Sequence, residues 1–104
     1  MSEFNDIINS KKPTLVDFFA TWCGPCKMQS PILEQVKERI GDHGTIVKVD
    51  IDKNRELAAQ YHVQSVPTLI LFKDGKAVWR TVGVQQAELL VAKVYEHEET
   101  KSDE

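Results

Sequence analysis

Both cysteines of this 104-residue chain lie in one tetrapeptide, Cys23-Gly24-Pro25-Cys26, directly behind the apolar run 14–20. Such a run is typical of a β-strand that is covered on both faces, and Pro25 suits the first turn of a following helix. The tetrapeptide is therefore predicted to lie at a strand-to-helix junction. A helix N-terminus carries unpaired amide donors and partial positive charge, and both favour a thiolate over a thiol.

Two thiols at this spacing are predicted to form a reversible disulfide. Cys23, just outside the helix, is expected to be exposed and to have a lowered pKa, whereas Cys26 turns inward and is the poorer nucleophile. Half of a zinc site is one alternative, but the chain has no second cysteine pair and its three histidines are scattered, so no metal site is predicted. A structural staple is the other alternative, and so short a loop would add little stability.

Length and composition indicate a single domain over residues 1–104, and a hydrophobic content of 41% is enough to build a core without cross-links. The net charge of −3 argues against a nucleic-acid partner. The N-terminal residues are polar and acidic, so neither a signal peptide nor a membrane span is expected, and the default location is cytoplasmic. The charged stretch from about residue 97 is expected to be a frayed, solvated tail.

Hydrophobic periodicity predicts the order helix-strand-helix-strand-helix-strand-strand-helix. The helices are predicted over 2–9, from the cysteines to a stop at Gly41, around 57–61 and over 87–94, and the strands over 14–20, 45–51, 67–72 and 76–82. The apolar stripe of the long helix consists of Met28, Ile32, Leu33, Val36 and Ile40. Pro31 is expected to kink that helix, and Asp74-Gly75 predicts a tight hairpin. This order predicts a mixed α/β sandwich with helices on both faces of a central sheet.

Four motifs occur along the chain in a specific order. They are Val16-Asp17-Phe18, Trp22-Cys23-Gly24-Pro25-Cys26-Lys27, Val66-Pro67-Thr68 and Lys73-Asp74-Gly75. Together they resemble the thioredoxin family, roughly from Phe4 to Val94. The resemblance implies the thioredoxin fold, an α/β architecture with a central mixed four-stranded sheet and four flanking helices. Longer members open with an additional strand that is expected to be absent here, which would leave the strand over 45–51 as an exposed sheet edge.

The resemblance implies roles for four residues in the chemistry. Cys23 is the attacking nucleophile and Cys26 the resolving thiol. Asp17 resembles the family's buried carboxylate beneath the second cysteine, and Lys48 resembles the lysine on the neighbouring strand that adjusts it. From the residues alone, Asp17 could instead be a solvated acid at a strand end, and Lys48 an outward-facing strand residue.

The resemblance also implies a flat, partly apolar docking surface for substrates, formed by Trp22, Gly24, Pro25, Val66, Gly83 and Val84. Pro67 matches the cis-proline that faces the disulfide, and Val66 supplies backbone hydrogen bonds to an extended substrate. Without the resemblance, the Val66–Pro67 bond would be expected to be trans and Trp22 could belong to the core. Trp79 is assigned to packing on the edge strand.

The implied function is general reduction of protein disulfides by a monomeric redox carrier without a bound cofactor. A thioredoxin reductase that draws on NADPH would restore the dithiol, and the implied clients include ribonucleotide reductase, peroxiredoxin and methionine sulfoxide reductase. Two alternatives stay open. The fold can run in reverse as an oxidase or isomerase, depending on how strongly the reduced thiolate is stabilised, and the chain could be a binding module whose disulfide is idle.

Overall fold

The computed structural model describes residues 2–98, within which four helices and four strands follow the predicted order. They are α1 (Ser2–Ile8), β1 (Thr14–Phe19), α2 (Gly24–Ile40), β2 (Thr45–Asp50), α3 (Arg55–Gln60), β3 (Thr68–Lys73), β4 (Lys76–Val82) and α4 (Ala87–Glu96), with a 3-10 turn at Gly41–His43. The tail predicted from about residue 97 falls mostly outside the described residues.

The four strands form one mixed sheet in the order β2-β1-β3-β4. Strand β1 pairs in parallel with β2 and antiparallel with β3, and β3 forms an antiparallel hairpin with β4. Asp74 and Gly75 both have positive φ, 53° and 82°, as the predicted tight turn requires. The central strands are buried on both faces, whereas β2 lies at an edge, so the edge expected at 45–51 is confirmed.

Each face of the sheet covers its own apolar cluster. The cluster between the sheet and helices α2 and α4 contains Leu15, Leu33, Val36, Ile40, Leu69, Leu71, Ala87, Leu90, Val91 and Val94. The cluster beneath α1 and α3 contains Phe4, Ile8, Val16, Phe18, Val49, Leu57, Ile70 and Phe72. Neighbouring residues of β1 and β3 thus point to opposite faces. Trp79 packs against the first cluster, which confirms its packing role.

Helix α2 buries Leu33, Val36 and Ile40 of the predicted stripe, and Ile32 packs against the first cluster while partly buried. The buried residues of the helix are Cys26, Gln29, Leu33, Val36 and Ile40. Met28 is 64% exposed, so its assignment to the stripe is wrong. The buried positions follow the spacing i, i+3, i+7, i+10, i+14, and a residue two positions after Cys26 lies on the opposite side of a helix. The helix ends as predicted, at Gly41 with φ +55°. The kink at Pro31 stays a prediction.

Helix α3 ends in a left-handed residue that is not glycine. His62 has φ +56°, and the next residue, Val63, donates its N–H to the carbonyl oxygen of Ala58 at 2.9 Å. This pattern closes the C-terminus of a helix. Arg80 of β4 donates to the carbonyl oxygens of Tyr61 and His62 at 2.5 and 2.8 Å. These contacts fix the start of the segment that leads from α3 to β3.

Candidate active site

The two cysteines form a disulfide at the N-terminus of α2, with their Cα atoms 5.3 Å apart. Cys23 is the N-cap residue of the helix, in extended backbone conformation, and its Sγ accepts a hydrogen bond from the N–H of Cys26 at 3.1 Å. A helix N-terminus favours negative charge on the capping atom. The same amide is therefore placed to stabilise a thiolate on Cys23 when the disulfide is open.

Cys23 is only 4% exposed and Cys26 5%, so the expectation of an exposed Cys23 is wrong for the disulfide form. The carbonyl oxygen of Val66 lies 3.6 Å from the sulfur of Cys23. Ala20 completes the buried cluster, against which Phe19 and Val66 pack.

The loop before β3 lies against the disulfide. The Val66–Pro67 peptide bond is cis, in agreement with the resemblance, and Pro67 is buried. The carbonyl oxygen of Pro67 accepts a hydrogen bond from Gly83 N–H at 2.8 Å, which attaches the loop after β4 to the loop before β3. Val66, Gly83 and Val84 are half-buried. The fold therefore brings residues of the predicted docking surface together from three separate segments.

Trp22 stands beside the disulfide with 68% of its surface exposed, so it is not a core residue. Its indole Nε1 donates to Oδ2 of Asp52 at 2.9 Å, which holds the ring in place. Gly24 and Pro25 are exposed next to it. The contact of Asp52 with Trp22 was not predicted, because the two residues are 30 positions apart and no local pattern connects them.

Asp17 is fully buried, and neither oxygen of its carboxyl group has a hydrogen-bond partner among the described residues. Burial raises the pKa of Asp17 from 3.8 to about 6, and the positive charge of Lys48 opposes this shift. Lys48 lies opposite Asp17 in the register of β1 and β2. Its exposed Nζ donates to Ser30 Oγ at 2.9 Å and stands 5.0 Å from the ring centre of Phe19. The alternative of a solvated Asp17 is therefore wrong.

A cavity of about 240 Å³ opens beside the second cysteine. It is lined by Phe19, Ala20, Thr21, Cys26, Lys27, Ser30 and Lys48. Cys26 and Lys48 thus border the same cavity, although Lys48 belongs to the edge strand. Ser30, which fixes the ammonium group of Lys48 there, was not singled out from the sequence.

Gln29 is the third site residue that was not predicted from the sequence. It is fully buried, and its side chain pairs with the backbone of Gln85, 56 residues further along the chain. A polar residue within an apolar stripe was the available signal, but its partner cannot be inferred from local sequence.

Within residues 2–98, no group of three or more His, Cys, Asp or Glu side chains is arranged to hold a metal ion. In the same range, no helix is long and apolar enough to cross a membrane.

The chain is similar to known proteins in both sequence and structure. A family model described as Thioredoxin matches residues 1–96. A thioredoxin of Alicyclobacillus acidocaldarius is 44% identical over 93 residues, which cover 89% of each chain. A bifunctional thioredoxin reductase/thioredoxin of Mycobacterium leprae is 49% identical over 84 residues, covering 81% of this chain and 18% of that protein. A solved mutant thioredoxin from Halobacterium salinarum has a TM-score of 0.87 at 37% identity, covering 97% of this chain and 88% of that one.

Proposed function

Because the chain belongs to the thioredoxin family, whose members are protein-disulfide oxidoreductases, we propose that it reduces disulfide bonds of client proteins by dithiol-disulfide exchange. The observation that carries this proposal is the Cys23–Cys26 disulfide at the start of α2, where the Cys26 amide points at the Cys23 sulfur. An amide donor in that position favours the thiolate that such an exchange needs.

In the first step, the Cys23 thiolate attacks one sulfur of the client disulfide. A bond forms between Cys23 and the client, and the other client sulfur leaves as a thiolate that takes up a proton. In the second step, Cys26 loses its proton and attacks the Cys23 sulfur. The Cys23–Cys26 disulfide forms, and the client sulfur is released as the second thiol. Two electrons thus pass from the dithiol to the client.

Asp17 accepts the Cys26 proton in this proposal, and Lys48 keeps that acceptor available. A carboxyl group with a pKa of about 6 is mostly ionised at neutral pH, yet it binds a proton more readily than an exposed aspartate does. Without the opposing charge of Lys48, burial would raise the pKa of Asp17 further. Lys48 is therefore a positioning and tuning residue rather than a group that touches the substrate.

The client binds as an extended segment across Trp22, Gly24, Pro25, Val66, Gly83 and Val84. Val66 pairs with the client backbone in the manner of strand addition, close to the Cys23 sulfur. The exposed ring of Trp22 and the contact between Val66 and Cys23 support this assignment. Pro67 shapes the loop that presents Val66.

The dithiol is regenerated by a thioredoxin reductase that draws on NADPH, so the chain itself binds no cofactor. The Mycobacterium leprae relative, which unites a thioredoxin reductase and a thioredoxin in one protein, supports this pairing. The clients we propose are ribonucleotide reductase, peroxiredoxin and methionine sulfoxide reductase, and the proposed location is the cytoplasm.

Insulin reduction coupled to NADPH and thioredoxin reductase tests the proposal. We expect turnover with the parent protein and none with Cys23→Ser. An idle binding module would leave NADPH unconsumed, and a reduction potential too high to reduce insulin would instead favour the oxidase direction.

The two cysteine variants are expected to differ when they are exposed to a cell extract. Cys26→Ser still attacks client disulfides but cannot release the product, so covalent mixed disulfides accumulate, whereas Cys23→Ser forms few or none. Non-reducing electrophoresis followed by mass spectrometry measures the trapped clients. Equal trapping by both variants would contradict the assigned roles.

A further inference from the structure

One buried side chain ties helix α2 to a loop of the docking surface. Gln29 lies one helical turn after Cys26 and is fully buried. Its Oε1 accepts the N–H of Gln85 at 2.7 Å, and its Nε2 donates to the carbonyl oxygen of Gln85 at 3.1 Å. The carboxamide thus satisfies both backbone groups of a single residue, as buried polar groups require.

Gln85 belongs to the short connection between β4 and α4, two residues after Gly83. That connection is fixed at two points. At one end, Gly83 N–H binds the carbonyl oxygen of Pro67 at 2.8 Å. At the other end, Gln85 is held by Gln29 of α2.

These contacts form a closed path around the disulfide. Val66, next to the proline, approaches Cys23. Cys23 is bonded to Cys26, and one helical turn leads from there to Gln29. In this path, Gly83 and Pro67 are joined through backbone groups, whereas the link through Gln29 is made by side-chain hydrogen bonds. It can therefore be removed by substitution without changing either cysteine.

We propose that Gln29 is a positioning residue for client recognition, which fixes the β4–α4 connection relative to the cysteine helix. The inference rests on the proposed function, because it concerns the same docking surface. An apolar side chain of similar size would leave the N–H and carbonyl of Gln85 without partners, so the connection would shift towards water. A displacement of about 1 Å is enough to weaken a fitted contact.

A purely structural role predicts a different result from a positioning role. If Gln29 were purely structural, replacing it would lower the free energy of unfolding and leave client recognition unchanged. Gln29→Met keeps the side-chain volume and removes both hydrogen bonds, whereas Gln29→Glu keeps the acceptor for Gln85 N–H. Val36→Ala is the matched control, since Val36 is fully buried on the same stripe two turns further from the disulfide.

The experiment measures kcat and KM for insulin, the rate with glutathione disulfide, and unfolding by denaturant, all with the full chain. We expect Gln29→Met to raise the KM for insulin by about fivefold or more, while kcat and the rate with the small disulfide change by less than about twofold. Gln29→Glu is expected to fall between Gln29→Met and the parent. Val36→Ala is expected to keep the parent KM although it is less stable.

An unchanged KM in Gln29→Met, or an equal rise in Val36→Ala, would overturn the inference and leave the proposed function intact. A parent protein that does not reduce insulin would overturn both. If Gln29→Met does not fold, Gln29→Glu provides the same comparison with the parent and with Val36→Ala.

Discussion

The carboxyl group of Asp17 shows how a single residue links stability to pH. Its pKa in the folded chain is about 6, above the ordinary value of 3.8, because burial disfavours the charged form. The folded state therefore binds this proton more tightly than the unfolded state does. The stabilisation by protonated Asp17 is complete below the unfolded pKa and is lost as the pH rises through about 6.

Replacing Asp17 with Asn is expected to remove this pH dependence. The parent should lose up to about 3 kcal/mol of unfolding free energy between pH 4 and pH 7, since one unit of pKa shift is equivalent to about 1.4 kcal/mol. Asp17→Asn should change little over the same range and be the more stable protein at neutral pH. Denaturant unfolding of the oxidised form checks this, because its cysteines do not titrate.

The same variant is expected to release clients more slowly. Cys26 loses its proton acceptor when the carboxyl group becomes an amide, so the decay of a preformed mixed disulfide should slow by about tenfold or more at neutral pH. Stopped-flow or quenched-flow measurement of that decay separates it from the attack by Cys23. A variant that is equally fast and no more stable would show that Asp17 serves neither role.

Individual residues were predictable where their chain neighbours determine the environment. The burial of Asp17 follows from the apolar residues on both sides of it in β1. The cover over Cys23 comes from Val66, 43 residues away, and the partner of Gln29 lies 56 residues away. Hydrophobic periodicity carries no information on such long-range contacts. Cys23 was therefore wrongly predicted to be exposed, and Gln29 was not identified as a site residue.

At the scale of elements, the end of α3 is set by the left-handed conformation of His62. A side chain with a Cβ atom is strained there by about 1 kcal/mol, and glycine is not. His62→Gly is therefore expected to stabilise the protein by about 0.5–1 kcal/mol. Gln60→Gly, in the last turn of the same helix, is expected to destabilise it by a similar amount.

Thermal or denaturant unfolding of both glycine variants provides the comparison. A gain of stability in His62→Gly together with a loss in Gln60→Gly would support the assignment of the helix end, because both variants introduce glycine near the end of the same helix. A loss of stability in His62→Gly would mean that its side chain makes contacts that outweigh the backbone strain.

Most elements followed from periodicity because each one covers an apolar cluster on a definite face of the sheet. Helix α4, predicted over 87–94, buries Ala87, Leu90, Val91 and Val94, which follow the spacing i, i+3, i+4, i+7. Helix α2 departs from its predicted stripe at two neighbouring positions, because the hydrogen-bonded amide of Gln29 is buried and Met28 is exposed. Apolar pattern recognition fails where a polar group is paired within the core.

At the scale of the whole molecule, strand β2 presents a sheet edge within the described residues. Exposed Lys48 and half-buried Asp50 place charge along that edge, which discourages pairing with a second chain. We expect a monomer over a wide concentration range in sedimentation velocity. A concentration-dependent dimer formed through β2 would contradict this expectation.

The edge charge can be tested directly by substitution. Lys48→Val removes the exposed charge of that edge and leaves half-buried Asp50, and it is expected to promote self-association at concentrations where the parent is monomeric. Lys53→Val makes the same change of net charge on the exposed turn after β2 and should remain monomeric. Equal association of the two variants would attribute the effect to net charge rather than to the strand edge.

The topology as a whole was predictable from the order of its elements. A strand, a helix and a strand in succession favour a right-handed parallel crossover, and the Asp-Gly turn makes the last two strands a hairpin. These two rules place β1 beside β2 and β3 beside β4, as observed. The antiparallel pairing of β1 with β3, which joins the two halves, follows from neither rule.

The cover over the disulfide has a consequence for the exchange of electrons with the surroundings. Cys23 and Cys26 expose 4% and 5% of their surfaces, so a small thiol in solution finds little sulfur to attack. In the proposed function, a partner protein that binds the surface around Trp22 brings its own thiol to the Cys23 sulfur. Reducing strength and speed of exchange are separate properties of such a pair. We expect the Cys23–Cys26 disulfide to react slowly with low-molecular-weight thiols, so that its oxidation state is determined by the rates of exchange with its protein partners.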